Sequence, residues 1–89
     1  MAKVRVLLTV DMHSADSTKR SDFDTEMADR KWKKRLSTTT TWTASFQEDV
    51  DAASAVRTTK SDVSDAAKAA KISSWDAICL PSTESPVEF

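Results

Sequence analysis

The chain has 89 residues, of which 39% are apolar and 30% charged, and its formal net charge is -1. Those values describe one domain over residues 1–89 with a modest core, and they exclude a disordered chain and a uniformly basic surface for nucleic acid. There is no Gly, so the Walker and dinucleotide-binding loops are excluded, and one Cys with one His leaves no intrachain disulfide and no structural zinc site of these ligands.

The first predicted element is a strand over residues 3 to 10. Val4, Val6, Leu8 and Val10 alternate onto one face, and Arg5, Leu7 and Thr9 onto the other. The second face is mixed, which places the strand centrally in a sheet. The apolar run stops at Asp11, too short for a signal peptide or a membrane helix. With a single Cys, the expected compartment is cytoplasmic. A polar loop, HSADSTKR, follows.

A helix is predicted over residues 21 to 31. Ser21 is its expected N-cap with Asp24 three residues on, and Phe23 and Met27 share a face at i, i+4, widened by Ala28. The threonine-rich stretch from 38 to 46 has strand propensity, with Thr40, Trp42, Ala44 and Phe46 on one face and Thr39, Thr41, Thr43 and Ser45 on the other.

Residues 48 to 72 read in two ways. One is a single helix from Glu48 to Ile72, about 25 residues and roughly 37 Å long. The other is a turn at EDVD, a strand over 53 to 59 and a helix over 62 to 71 capped by Ser61, with Val63, Ala66, Ala67 and Ala70 inward. The β-branched Thr58 and Thr59 and the Ser61 cap favour the split. A last strand, 75 to 80, ends at Pro81, which cannot donate to a ladder. The terminal PVEF is a candidate for a short edge pairing.

The resulting order is β-α-β-β-α-β, the ferredoxin-like α+β plan, with two helices on one face of a four-stranded antiparallel sheet. A continuous helix across 48 to 72 would remove the third strand, and the plan with it. With VRVLLTVD running into Asp11, the sequence resembles small ferredoxin-like nucleases. One is the CRISPR adaptation nuclease family, whose first strand ends in an acid of the metal site. Another is the GhoS-type endoribonuclease antitoxin, which SAVRTTKSDVSDAAKAAKI resembles. The resemblance implies a metal-dependent nuclease using Mg²⁺ at Asp11; without it, no cofactor is expected. The chain departs from the nuclease pattern in lacking glycine-bearing turns.

Each candidate residue has a functional and a structural alternative. Asp11 is a catalytic and metal-ligating candidate, because hard cations take carboxylate oxygens; the structural alternative is an acid that stops the strand. His13 is a candidate general base, two residues away, or else a solvated loop residue. Arg30, Lys31, Trp32, Lys33, Lys34 and Arg35 place five cations around an indole, a pattern suited to phosphate and base stacking. The structural alternative is a cationic helix end with Trp32 in the core. Trp42 and Trp75 are expected in the core or an interface, and Cys79 as an inert hydrophobe.

The uncovered sheet face is expected to carry Leu7, Ala77 and Cys79, and to ask for a partner. The preferred reading is a dimeric interaction or regulatory module without catalysis, pairing with itself through the open sheet face or an edge strand. The alternatives are an RNA- or DNA-binding protein or nuclease, and a small-molecule binder on the open sheet face.

Overall fold

The computed structural model describes residues 3–13, 15–34 and 41–84. Its elements are β1 (Arg5–Met12), α1 (Ser17–Asp29), β2 (Lys33–Lys34), β3 (Thr41–Ser45), α2 (Ala52–Ala69) and β4 (Trp75–Ser82). The four strands form one sheet in the order β2-β3-β1-β4, and every neighbouring pair is antiparallel. It follows that β1 and β2 run the same way with β3 between them, and that β3 and β4 run the same way with β1 between them. Within the described residues, no helix is long and apolar enough to cross a membrane.

The alternation in β1 sorts its side chains as the sequence predicts. Val6, Leu8 and Val10 are buried, and they share one core with Phe23 and Met27 of α1 and with Ala55, Val63, Ala66 and Ala67 of α2. Both helices therefore lie over the same face of the sheet. Leu7, Thr9 and Asp11 point to the other face, which no helix covers. Two edge-to-face aromatic pairs stitch the layers: Phe23 on Trp42, with centroids 6.2 Å apart, and Trp32 on Phe46 at 6.4 Å.

The main departure from the sequence reading lies in residues 52 to 69. The strand expected over 53 to 59 does not form, and Ser61 caps nothing; both lie inside the continuous helix α2. Asp51 is the N-cap, and its carboxylate accepts from the backbone N–H of Ser54 at 2.7 Å. That bond, the Ser54 hydroxyl and the charge of Arg57 hold the Asp51 carboxyl below its ordinary range. From there Ala55, Thr59, Val63, Ala66, Ala67 and Ala70 recur at helical spacing and are all buried. The β-branched Thr59 is accommodated because its hydroxyl donates to the Ala55 carbonyl, four residues back, at 2.8 Å. Burial of this alanine-rich face outweighs the local strand propensity of two threonines.

The element order β-α-β-β-α-β survives this correction by another route. Lys33 and Lys34, expected as phosphate-binding cations or, in the structural alternative, as part of a cationic helix end, pair with Thr43 and Trp42 and supply β2. The N-terminus of α1 is also earlier than expected. Asp16, not Ser21, is its N-cap, accepting from the Lys19 N–H at 2.9 Å. The expected edge pairing by PVEF, and residues 38 to 40 of the expected second strand, lie outside the described residues.

Both helices end in a Schellman motif without glycine. At α1, the Lys31 N–H donates to Ala28 and the Trp32 N–H to Met27; at α2, the Lys71 N–H donates to Lys68 and the Ile72 N–H to Ala67. The turning residues are lysines in the left-handed region, Lys31 at φ 71° and Lys71 at φ 61°. The hydrophobic residues after them, Trp32 and Ile72, are buried and anchor each turn. A Cβ in this region costs about 1–2 kcal/mol, and glycine's extra chain entropy returns about 0.5–1 kcal/mol of that. Lys31→Gly and Lys71→Gly should therefore each stabilise the fold by about 0.5–1 kcal/mol, a rise of several degrees in a thermal melt. A lowered melting temperature in both variants would contradict this account of the turns.

Candidate functional site

Asp11 does not stop its strand. β1 continues through Met12, and Asp11 stands on the open face directly opposite Asp76 of β4. His13 follows immediately, held by its backbone N–H to the Ser74 carbonyl at 3.0 Å, and its Nε2 lies 2.8 Å from the Asp76 carboxylate. Asp11, Asp76 and His13 are all exposed. The two sequence candidates thus gather at one end of the β1–β4 ladder, around a third residue that sequence reasoning missed. Only the register between the two strands could have revealed Asp76. Among the described residues, no group of three His, Cys, Asp or Glu side chains is arranged to hold a metal ion.

Like charges directly opposite each other in an antiparallel pair repel. Asp11→Asn should therefore stabilise the fold by about 0.2–1 kcal/mol, read from urea unfolding. Molar salt should shrink the gain, because exposed charges are screened. A loss of stability on removing this charge would show that Asp11 has a favourable partner.

The basic run is divided among different tasks. Arg30 turns back along α1, donating to the Glu26 carbonyl at 3.0 Å and to its carboxylate at 3.1 Å. Lys31 is the exposed left-handed turn residue. Trp32 is 4% exposed, and its indole N–H donates to the Asp62 carboxylate of α2 at 2.9 Å. Lys34 bonds Asp24 at 2.7 Å and sits over the Trp42 ring, 5.5 Å from its centroid. Lys33 is exposed on the open face, opposite Thr43. Arg35 lies outside the described residues.

No exposed indole is therefore left among these cations. Trp32 takes the core alternative, and Trp42 is buried in the same core. The described aromatic residues, Phe23, Trp32, Trp42, Phe46 and Trp75, all lie in or against the core on the helix side. Stacking of bases favours an accessible aromatic ring, and among the described residues the open face has no Phe or Trp.

That face has an apolar patch instead. Leu7 is 37% exposed, Ile78 78% and Leu80 61%. Leu80 stands directly opposite Leu7, and Ile78 opposite Thr9. The expectation of Ala77 and Cys79 on this face is corrected by the register. They oppose Val10 and Leu8, so they face the helices, and their neighbours Ile78 and Leu80 take the open side. Strand side chains alternate, so a phase error of one residue exchanges the two sets. β4 is outermost in the sheet, and among the described residues no strand pairs with its outer side. No family model matches the chain, and no curated protein and no solved structure matches it.

Proposed function

We propose that the chain is a small interaction module that pairs with a second copy of itself through β4 and the open sheet face, without catalysis of its own. One observation carries the reading: an eight-residue outermost strand exposes Ile78 and Leu80 beside Leu7. The outer edge of such a strand offers unpaired N–H and C=O groups to another strand. Two copies of β4 related by a two-fold axis are self-complementary, and their antiparallel pairing would extend the sheet across the pair. Covering Ile78 or Leu80 fully is worth about 1.5–3 kcal/mol for each side chain. Charges that would block the approach are few: Asp76, at the beginning of β4, is the only Asp, Glu, Lys, Arg or His in that strand.

The strand order belongs to the same reading. Two parallel pairs, each joined through a helix and each split by an inserted strand, support the ferredoxin-like plan. The free Cys79 supports a reducing, cytoplasmic setting.

Sedimentation equilibrium tests the pairing. The wild type should approach twice the 9.8 kDa chain mass at high micromolar concentration. The double variant Ile78→Lys, Leu80→Lys should stay at the single-chain mass with an unchanged circular dichroism spectrum, because both side chains are exposed. A single-chain mass for the wild type would sink the proposal.

A second reading, a metal-dependent nuclease relative acting on RNA or DNA, rests on the resemblance at Asp11 and on two exposed carboxylates, Asp11 and Asp76, standing opposite each other, although no three-residue ligand set is formed among the described residues. It requires Mg²⁺ or Mn²⁺ to raise the melting temperature, because a ligand that binds only the native state stabilises it. Asp11→Ala must abolish that rise. Equal melts with and without metal would end this reading.

A further inference from the structure

We propose that the cleft between α2 and β4 is a binding site for a small apolar monocarboxylate. This requires neither a second copy of the chain nor a metal. The cleft lies on the helix side of the sheet, opposite the apolar patch of the open face. Its origin is in the sequence. Ala77 and Cys79 are the helix-facing residues in the middle of β4, opposite Val10 and Leu8. Both are small, so α2 leaves space above the sheet margin. The resulting cavity measures about 260 Å³ and is lined by Leu8, Val63, Trp75 and Ala77, with Thr59, Lys60 and Cys79.

The lining specifies the occupant. Leu8 and Val63 form a buried apolar floor, and the half-buried Trp75 adds an indole. Thr59 has already donated its hydroxyl hydrogen to Ala55. Lys60 is exposed and takes part in no ion pair among the described residues. Its methylene stem can lie along the apolar wall while the ammonium stays at the mouth. Together these groups call for an apolar body carrying one negative charge. A sugar would lose its hydration with few partners in return. A nucleotide would bring several charges to a single cation. The volume is just below the roughly 300–1,000 Å³ of ordinary ligand pockets, which sets the occupant at fragment size.

Octanoate is a suitable probe, with octanol as its neutral counterpart and octylamine as its cationic one. Cys79 is the only cysteine of the chain and lines the cleft, so its alkylation by N-ethylmaleimide reports occupancy without ambiguity. Octanoate should raise the melting temperature and slow alkylation of Cys79 severalfold. Octanol should need about tenfold higher concentration for the same protection, the equivalent of one favourable charge contact, and octylamine more again. Lys60→Gln should bring octanoate down to the level of octanol and leave octanol unchanged. Ala77→Leu, which fills the cleft, should abolish protection by all three. If Ala77→Leu fails to fold, the exposed Lys60→Gln still decides the matter. Absence of protection by octanoate in the wild type would overturn the site. Equal protection by octanoate and octanol, or equal octanoate protection in wild type and Lys60→Gln, would overturn the role of the charge and with it the proposed ligand class.

Discussion

Phe23→Ala is expected to destabilise the fold by about 3–5 kcal/mol. Phe23 is 0% exposed, and its ring meets Trp42 of β3 edge to face. Only Phe23 and Met27 are buried among the residues of α1. One of two anchors would thus be lost, and apart from the exposed Ala28 the remaining helix surface is polar. A chain of 89 residues has a total stability of about 4–13 kcal/mol at ~0.05–0.15 kcal/mol per residue. The variant should therefore be close to unfolded at physiological temperature. Met27→Leu nearly conserves volume and should cost less than about 1.5 kcal/mol. Urea unfolding of both variants measures the difference. A loss below about 1 kcal/mol for Phe23→Ala would mean that α1 is held by something other than this ring.

The second large effect is at Trp32. Trp32→Phe keeps an aromatic ring but removes the indole N–H that Asp62 accepts. The carboxylate is partly buried and loses a charge-assisted bond worth about 1.5–3 kcal/mol, and the smaller ring leaves a void. The expected cost is about 2–4 kcal/mol. In an Asp62→Ala background the same substitution should cost less, with a coupling of about 0.5–3 kcal/mol between the two sites. A stacking platform for nucleic acid would behave in the opposite way. Trp32→Phe would leave the melt unchanged and weaken binding to a single-stranded oligonucleotide.

Local pattern made some of the architecture legible. β1 could be read from alternating valines and leucines, because a strand between two neighbours with one face on the core must alternate. Phe23 and Met27 identified the inner face of α1. Both ends of the helices were harder, since aspartates rather than serines serve as N-caps and lysines occupy turns that glycine would usually mark. Within α2, Thr58 to Ser61 imitate the end of a strand and the start of a helix. Nothing local shows that Thr59 will be buried and will bond backward to Ala55.

Composition and periodicity settled the exclusions, the mixed α+β class, the two faces of β1 and the exposure of Leu7. These depend on residue type and on spacing along a few turns or a few strand residues. The continuity of α2, the two-residue β2, the phase of β4 and the meeting of His13 with Asp76 were decided in three dimensions. Each depends on which distant segment lies alongside: His13 and Asp76 are 63 residues apart in the chain and 2.8 Å apart in space. The burial of a whole helix face or the alignment of a ladder involves more free energy than the preference of any one threonine or lysine, and so it overrides local propensity where the two disagree.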